Sequence, residues 1–116
     1  MIECGEIYYI KGSKKGSIGS EIWSGRPAVI ISSEEAIRNQ GTVNIVYLTS
    51  SDGEKELTVA ISDDDFEYKK NQYECHTVLC AQVHSVDKSR IGNYYGRVTP
   101  EELKLIETTV KERTLF

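Results

Sequence analysis

The sequence has no hydrophobic run long enough to span a membrane. Its longest uninterrupted aliphatic run is Ala-Val-Ile-Ile at residues 28–31, whereas a transmembrane helix needs about 20 apolar residues. The N-terminus lacks a basic stretch followed by an apolar stretch, which is the pattern of a secretory signal. We therefore expect a cytoplasmic protein with no membrane partner.

Cysteine and proline are scarce, with three and two residues respectively. An odd cysteine count without an export signal favours reduced thiols over a disulfide framework. With 39% hydrophobic and 28% charged residues, the composition is typical of a folded globular domain and excludes a disordered or fibrous chain. The length of 116 residues favours one domain over residues 1–116.

Positive charge is not in excess. The formal net charge is −4, so no global basic field draws the protein to nucleic acid. The distribution is uneven, because residues 11–33 hold four basic residues and one acidic residue, while residues 51–70 hold seven acidic and three basic ones. Solvent-exposed loops that carry charges of either sign by chance would give the same pattern, so charge alone does not indicate a partner.

Short runs of β-branched and aromatic residues, separated by polar turns, predict five or six strands. The predicted strands cover residues 5–10, 26–32, 42–49, 56–61, 77–83 and 95–98, with one helical turn at residues 34–39. Residues 11–20, rich in glycine, serine and lysine, predict a mobile loop, and Asp52-Gly53 predicts a hairpin turn within residues 50–55.

The C-terminal part carries a helical pattern. Residues 99–102, Thr-Pro-Glu-Glu, combine a capping threonine, a proline suited to the first helical position and a glutamate that completes a capping box. The apolar residues that follow lie on one face of a helix ending near residue 113: Leu103, Ile106 and Val110. Strands followed by one terminal helix indicate a mainly β fold, a small and strongly bent barrel flanked by that helix.

The most informative segment is residues 19–32, Gly-Ser-Glu-Ile-Trp-Ser-Gly-Arg-Pro-Ala-Val-Ile-Ile-Ser. It places Arg26 where a flexible loop meets a rigid strand, with Pro27 at the start of that strand. The planar fork of an arginine matches a phosphate or a carboxylate. The alternative is that Arg26 forms an ordinary surface ion pair with Glu21.

Four segments, in order along the chain, resemble the MazF/PemK family of bacterial toxins. The first is Gly-Glu-Ile-Tyr-Tyr at residues 5–9, and the second is Gly-Ser-Glu followed by Arg-Pro and an aliphatic strand. The third is Val-Tyr-Leu-Thr-Ser at residues 46–50, and the fourth is residues 78–91 with their Gln-Val and Asp-Lys-Ser-Arg-Ile elements. The resemblance covers essentially the whole chain.

The resemblance implies a fold and an activity. The family has an SH3-like β-barrel (CcdB/MazF-like) with a C-terminal α-helix, and its members usually form homodimers. They are endoribonucleases, also called mRNA interferases, that cleave single-stranded RNA without a metal or other cofactor. The ribose 2′-hydroxyl attacks the adjacent phosphate and leaves a cyclic phosphate and a 5′-hydroxyl. A cognate antitoxin binds the toxin, and DNA binding is expected only through that antitoxin complex.

The resemblance also implies three catalytic residues. Arg26 matches the arginine that binds the scissile phosphate and stabilises its developing charge. Thr49 matches the threonine whose hydroxyl donates to a phosphoryl oxygen, although a strand-end threonine also suits β-propensity alone. Glu21 matches the acidic residue that either orients Arg26 or accepts the 2′-proton.

A second group of residues is expected to bind RNA: Lys11, Lys14, Lys15, Ser20, Trp23 and Gln82. The lysines lie in the loop that gates the RNA groove in the family, where phosphate contacts weaken with salt. Trp23 is a candidate base-stacking platform. Loop packing or a dimer contact for Trp23, and a satisfied polar position at the barrel rim for Gln82, are the alternatives.

Two positions separate this sequence from the PemK/Kid branch. Leu79 and Ala81 stand where that branch has a catalytic arginine and aspartate, so the sequence is nearer to the MazF branch. Two other function classes stay open: a gyrase-binding toxin similar to CcdB, which shares the fold, and a catalytically silent module that binds RNA or protein. The C-terminal tail, Lys-Glu-Arg-Thr-Leu-Phe, does not match that of CcdB.

A metal site is not expected. Two cysteines and two histidines lie within residues 75–84, but Cys80 and His84 are four residues apart on a predicted strand. That spacing corresponds to about 13 Å, too far to share one zinc ion. The aspartates at residues 63–65 lack the alternating acids and central glycine of a calcium loop.

Overall fold

The computed structural model describes residues 2–12, 25–50, 57–67 and 74–114. In chain order the strands and helices are β1 (Glu6–Ile10), β2 (Arg26–Ile30), α1 (Glu34–Asn39), β3 (Thr42–Thr49), β4 (Thr58–Ala60), β5 (Thr77–Asp87), β6 (Ile91–Arg97) and α2 (Pro100–Thr114). Single 3-10 turns at Asp63–Asp65 and Lys88–Arg90 follow β4 and β5. The bounds of α1 and β3 agree with the sequence prediction.

The predicted bounds of the fifth and sixth strands are wrong by four residues, whereas those of β1, β2 and β4 differ from the structure by one or two residues at an end. The fifth strand was predicted to end at residue 83, but β5 continues to Asp87 because its polar second half pairs with β3, with Asn44 opposite Ser85 and Thr42 opposite Asp87. The sixth was predicted to begin at residue 95, but β6 begins at Ile91, which pairs with Ile10. Of the loop predicted at residues 11–20 and the hairpin turn predicted at residues 50–55, residues 13–20 and 51–55 lie outside the described residues.

The six strands form one antiparallel sheet in the order β4-β5-β3-β2-β1-β6. The sheet bends until the segment after β4 reaches β6, where Phe66 bridges Gly96 and the Glu67 amide donates to the Tyr95 carbonyl over 2.8 Å. The predicted barrel is therefore a strongly bent sheet, whose edge strands β4 and β6 meet through this short bridge and not through a full ladder. One end of the sheet stays accessible for a site.

Both faces of the sheet bury apolar side chains. One buried set includes Ile7, Val46 and Leu48, and helix α2 packs against it through the fully buried Ile106. The other set includes Tyr8, Ile10, Ala28, Ile30, Ile37, Val43, Ile45, Tyr47 and Val86. A sheet buried on both faces is rigid, and it fixes the side chains at its ends.

Helix α2 begins with the predicted capping box. The Glu102 amide donates to the Thr99 hydroxyl over 3.1 Å, and the Thr99 amide donates to the Glu102 carboxylate over 2.9 Å. Leu103 and Val110 pack beside Ile106 as the apolar periodicity predicts. In the described part of the chain, no helix has the length and apolar character needed to cross a membrane.

Candidate functional site

Strand pairing places Arg26 and Thr49 at the same end of two adjacent strands. Strands β2 and β3 pair Ala28 with Tyr47 and Ile30 with Ile45. Arg26, the first residue of β2, and Thr49, the last residue of β3, each lie two residues beyond the Ala28–Tyr47 pair, where the β2–β3 ladder ends. Both residues are therefore at the same end of the sheet.

Arg26 and Thr49 line the same groove, which has a volume of about 490 Å³. Its other lining residues are Tyr9, Gly25, Pro27, Leu48, Ser50 and Cys75. Tyr9, Pro27 and Leu48 supply apolar walls, while the guanidinium and the hydroxyls supply donors. Such a mixture of apolar walls and a few convergent polar groups is typical of a small-ligand site.

The Arg26 guanidinium lies over an aromatic ring and not against a carboxylate. Its Cζ atom is 5.9 Å from the centroid of the Tyr47 ring, within the range of a cation–π contact. Among the described residues no acidic side chain forms an ion pair with Arg26. Arg26 itself lines the groove, so its guanidinium is a candidate ligand for an anion bound there.

Gly25 lets the chain enter the site without displacing Tyr9. A Cβ atom at this position would lie 2.0 Å from the Tyr9 hydroxyl oxygen and 2.8 Å from the Ile10 carbonyl oxygen. Pro27 is buried directly behind, opposite Tyr9 in the β1–β2 register. Gly25 and Pro27 therefore fix the backbone on both sides of Arg26.

The predicted site residues fall into three groups. Arg26 and Thr49 share the groove. Lys11 and Gln82 are exposed outside it: Lys11 follows β1, where its amide donates to the Arg90 carbonyl over 2.8 Å, and Gln82 lies within β5. The others lie outside the described residues: Lys14, Lys15, Ser20, Glu21 and Trp23.

Sequence reasoning missed four residues of the site: Tyr9, Tyr47, Ser50 and Cys75. Tyr9 and Tyr47 were read as strand residues. The alternation of residues along a strand could have indicated them, because residues two apart share one face. The pairing of β2 with β3 is also needed to see that Tyr47 contacts Arg26. Cys75 gave no signal, since it precedes β5 by two residues.

The cysteines favour their thiol forms. Burial raises the pKa of the Cys75 thiol, and nearby Arg26 opposes that rise only in part. Burial raises the pKa of Cys80 to about 11. In the described ranges no group of three or more histidine, cysteine, aspartate or glutamate side chains is arranged to hold a metal ion.

The chain is similar to known toxins along most of its length. The family model for the PemK-like, MazF-like toxin of type II toxin–antitoxin systems matches residues 3–113. No curated protein sequence matches the chain.

Solved structures share the fold. An endoribonuclease from a mycobacterial species, in complex with its cognate antitoxin, is 21% identical, with 97% of this chain and 94% of that chain covered and a TM-score of 0.74. MazF from Deinococcus radiodurans is 16% identical, with 99% and 97% covered and a TM-score of 0.76. A MazE–MazF structure from the same organism is 15% identical, with 96% and 92% covered and a TM-score of 0.71.

Proposed function

Because the chain belongs to the PemK-like, MazF-like toxins of type II toxin–antitoxin systems, we propose that it is an endoribonuclease that cleaves single-stranded RNA in the groove between Arg26 and Thr49. The observation that carries this proposal is the placement of both side chains on one groove at the ends of adjacent strands. A guanidinium and a hydroxyl that line one groove form a pair of donors suited to one phosphate.

The proposed reaction needs no group beyond the chain, the RNA and solvent water. The ribose 2′-oxygen attacks the adjacent phosphorus, the bond to the 5′-oxygen breaks, and the products carry a 2′,3′-cyclic phosphate and a 5′-hydroxyl. Arg26 stabilises the negative charge that grows on the phosphoryl oxygens, and Thr49 donates a hydrogen bond to one of them. Arginine stays protonated in proteins, so we assign Arg26 an electrostatic role.

Proton transfer requires other groups, because the 2′-oxygen loses a proton and the departing 5′-oxygen gains one from solvent water. Glu21, outside the described residues, is our proposed acceptor of the 2′-proton or orienting partner of Arg26. We propose that Lys11, Lys14, Lys15, Ser20, Trp23 and Gln82 contact the RNA strand on either side of the scissile phosphate. This proposal uses no metal and no cofactor.

The expected partners follow from the family. Solved relatives with 21% and 15% identity are complexes with a cognate antitoxin and with MazE. We propose that an antitoxin also binds this chain, that the chain acts as a homodimer in the cytoplasm, and that it meets DNA only through the antitoxin complex.

The variant Arg26→Ala tests the proposal against a matched arginine. Long single-stranded RNA is incubated in EDTA with the wild-type protein, with Arg26→Ala and with Arg38→Ala, whose exposed side chain lies in the last turn of α1. We expect Arg26→Ala to slow cleavage by about 100-fold or more, since removing one charge-stabilising donor costs about that much, and Arg38→Ala to cleave normally.

Circular dichroism must show that both variants are folded. The proposal is wrong if the wild-type protein leaves several RNAs of different sequence intact, or if folded Arg26→Ala cleaves as fast as Arg38→Ala. A wild-type protein that cleaves only when a divalent metal is supplied would contradict the metal-free reaction.

A further inference from the structure

We propose that Tyr47 is a positioning residue that holds the Arg26 guanidinium over its ring and presents it to the phosphate, an inference that rests on the ribonuclease function proposed above. The Arg26 Cζ atom lies 5.9 Å from the centre of the Tyr47 ring. Tyr47 does not line the groove itself, so it would act on the RNA only through Arg26.

The strand pairing explains why these two side chains meet. Ala28 on β2 is paired with Tyr47 on β3, and Arg26 lies two residues before Ala28 on the same face of the sheet. Arg26 is therefore the diagonal neighbour of Tyr47, at a separation that a long side chain can span. The contact follows from the register and does not need a particular loop conformation.

The Tyr47 ring also contacts the His84 ring. The two ring centres are 5.0 Å apart and the planes meet at 65°, an edge-on contact that aromatic rings favour. His84 is paired with Ile45 on β3, so it approaches Tyr47 diagonally from β5. Arg26, Tyr47 and His84 thus form a row of contacts across three adjacent strands.

His84 brings no competing positive charge to Tyr47 near neutral pH. Burial lowers the pKa of the His84 imidazole, and the positive charge of nearby Arg90 lowers it further. The His84 Nε2 atom is buried, and within the described residues it has no hydrogen-bond partner. The neutral imidazole therefore packs against the Tyr47 ring without adding a second positive charge beside Arg26.

Stacking helps catalysis by orienting the guanidinium before the transition state forms. An arginine side chain has many rotamers, and selecting the one that meets the charged transition state costs free energy unless the rotamers are already restricted. Tyr47 is only 4% exposed, so its ring is held by the surrounding protein and offers a desolvated face, where cation–π attraction is strongest. A guanidinium already held on that face is oriented before the RNA arrives.

The test varies the electron density of the ring while keeping its shape. Position 47 is filled with tyrosine, phenylalanine, trifluorophenylalanine or leucine, and single-turnover RNA cleavage is measured in EDTA. Because fluorine withdraws electrons from the ring face, we expect Tyr47→Phe to stay within about twofold of wild type and Tyr47→Leu to lose about tenfold, with the trifluoro variant between them. The loss should fall on kcat and not on KM, as expected for a group oriented for the transition state.

An Arg26→Ala background separates positioning from a general packing effect. There, Tyr47→Leu should cause no further loss, because the two residues act as one unit. The proposal is overturned if Tyr47→Leu cleaves at the wild-type rate, if its tenfold loss persists in the Arg26→Ala background, or if Tyr47→Phe loses as much as Tyr47→Leu. If Tyr47→Leu does not fold, the trifluoro variant, which keeps the ring shape, is compared with Tyr47→Phe. Slower cleavage by the trifluoro variant supports the proposal, and equal cleavage overturns it.

An NMR measurement keeps this proposal distinct from the proposed function. The side-chain protons of Arg26 should show ring-current shifts in the wild type and in Tyr47→Phe, and lose them in Tyr47→Leu. If the wild-type protein cleaves no RNA but the shifts behave as described, the ribonuclease function fails and the Tyr47 contact stands. Identical Arg26 shifts in Tyr47→Phe and Tyr47→Leu would refute the contact itself.

Discussion

At the scale of single residues, Arg26 differs from another arginine of the sheet in the contacts that the described residues give it. The sheet contains another partly exposed arginine, Arg97, but that guanidinium contacts the carboxylates of Glu3 and Glu6. Arg26 instead lies on an aromatic ring at the edge of a groove. Arg97 on β6 therefore forms structural ion pairs, whereas Arg26 on β2 is a candidate phosphate ligand.

A second unusual residue is Asp65, which is buried next to the start of α2. Its carboxyl oxygen Oδ2 has no hydrogen-bond partner among the described residues. Burial, and then the hydrogen bond and negative charge of Glu102, raise the pKa of Asp65 to about 7. Glu102 cannot move away easily, because it accepts hydrogen bonds from the Thr99 and Ser62 amides.

The raised pKa of Asp65 predicts that its contribution to stability falls as pH rises. Between about pH 4 and pH 7 the folded protein keeps a proton on Asp65 that the unfolded chain has released, so folding becomes less favourable with rising pH in this window. We expect Asp65→Asn, which stays neutral, to raise the urea midpoint at pH 8 and to change it little at pH 4.

Glu35→Gln is the matched control, because Glu35 is an exposed acid on α1 and is not among the groups that raise the pKa of Asp65. Urea denaturation at pH 4, 6 and 8 measures the difference between each variant and the wild type. An Asp65→Asn midpoint that shifts equally at all three values, or a control that shows the same pH trend, would show that the carboxyl pair does not control this stability.

At the scale of the elements, local signals and long-range pairing contributed unequally to the prediction. Helix α2 was predicted correctly because its capping box and its apolar stripe are encoded within neighbouring residues. The full extent of β5 and β6 was not, because Ser85 and Ile91 gain their ladder partners only from β3 and β1, which are distant in the sequence. Strand pairing that joins distant segments overrides local propensity.

The bridge between β6 and the segment after β4 depends on Gly96. A Cβ atom there would lie 2.1 Å from the Asp65 carbonyl oxygen and 2.8 Å from the Phe66 Cα atom, and the backbone φ is +155°. We expect Gly96→Ala to lower the free energy of unfolding by about 1–3 kcal/mol, the usual cost of overpacking.

Gly41→Ala is the control for Gly96→Ala, since a Cβ atom at Gly41 would meet nothing within 4 Å. Both variants are compared by urea denaturation. Gly41→Ala should change the free energy of unfolding by less than about 0.5 kcal/mol, as surface substitutions generally do. Equal stability of the two variants would mean that the bridge does not help to hold the bent sheet together.

At the scale of the whole molecule, the fold assembles its candidate site from segments far apart in the sequence. Arg26 and Thr49 were recognised from motifs in the sequence, and the structure places both on one groove. Tyr9 and Cys75 complete that groove from the end of β1 and the approach to β5, which only the folded sheet brings together. The roles of Arg26, Thr49 and Glu21 in catalysis stay predictions.

The measurement that tests this account most directly is a double-mutant cycle on Arg26 and Thr49. Single-turnover cleavage of one RNA in EDTA is compared for the wild type, Arg26→Ala, Thr49→Val and the double variant, with Thr42→Val at the other end of β3 as the control. We predict a large loss of cleavage rate for each single variant and normal cleavage by Thr42→Val. The double variant should lose far less than the product of the two single losses, because both groups bind one phosphate. Wild-type rates in folded Arg26→Ala or Thr49→Val, or losses that simply multiply, would contradict a shared phosphate site.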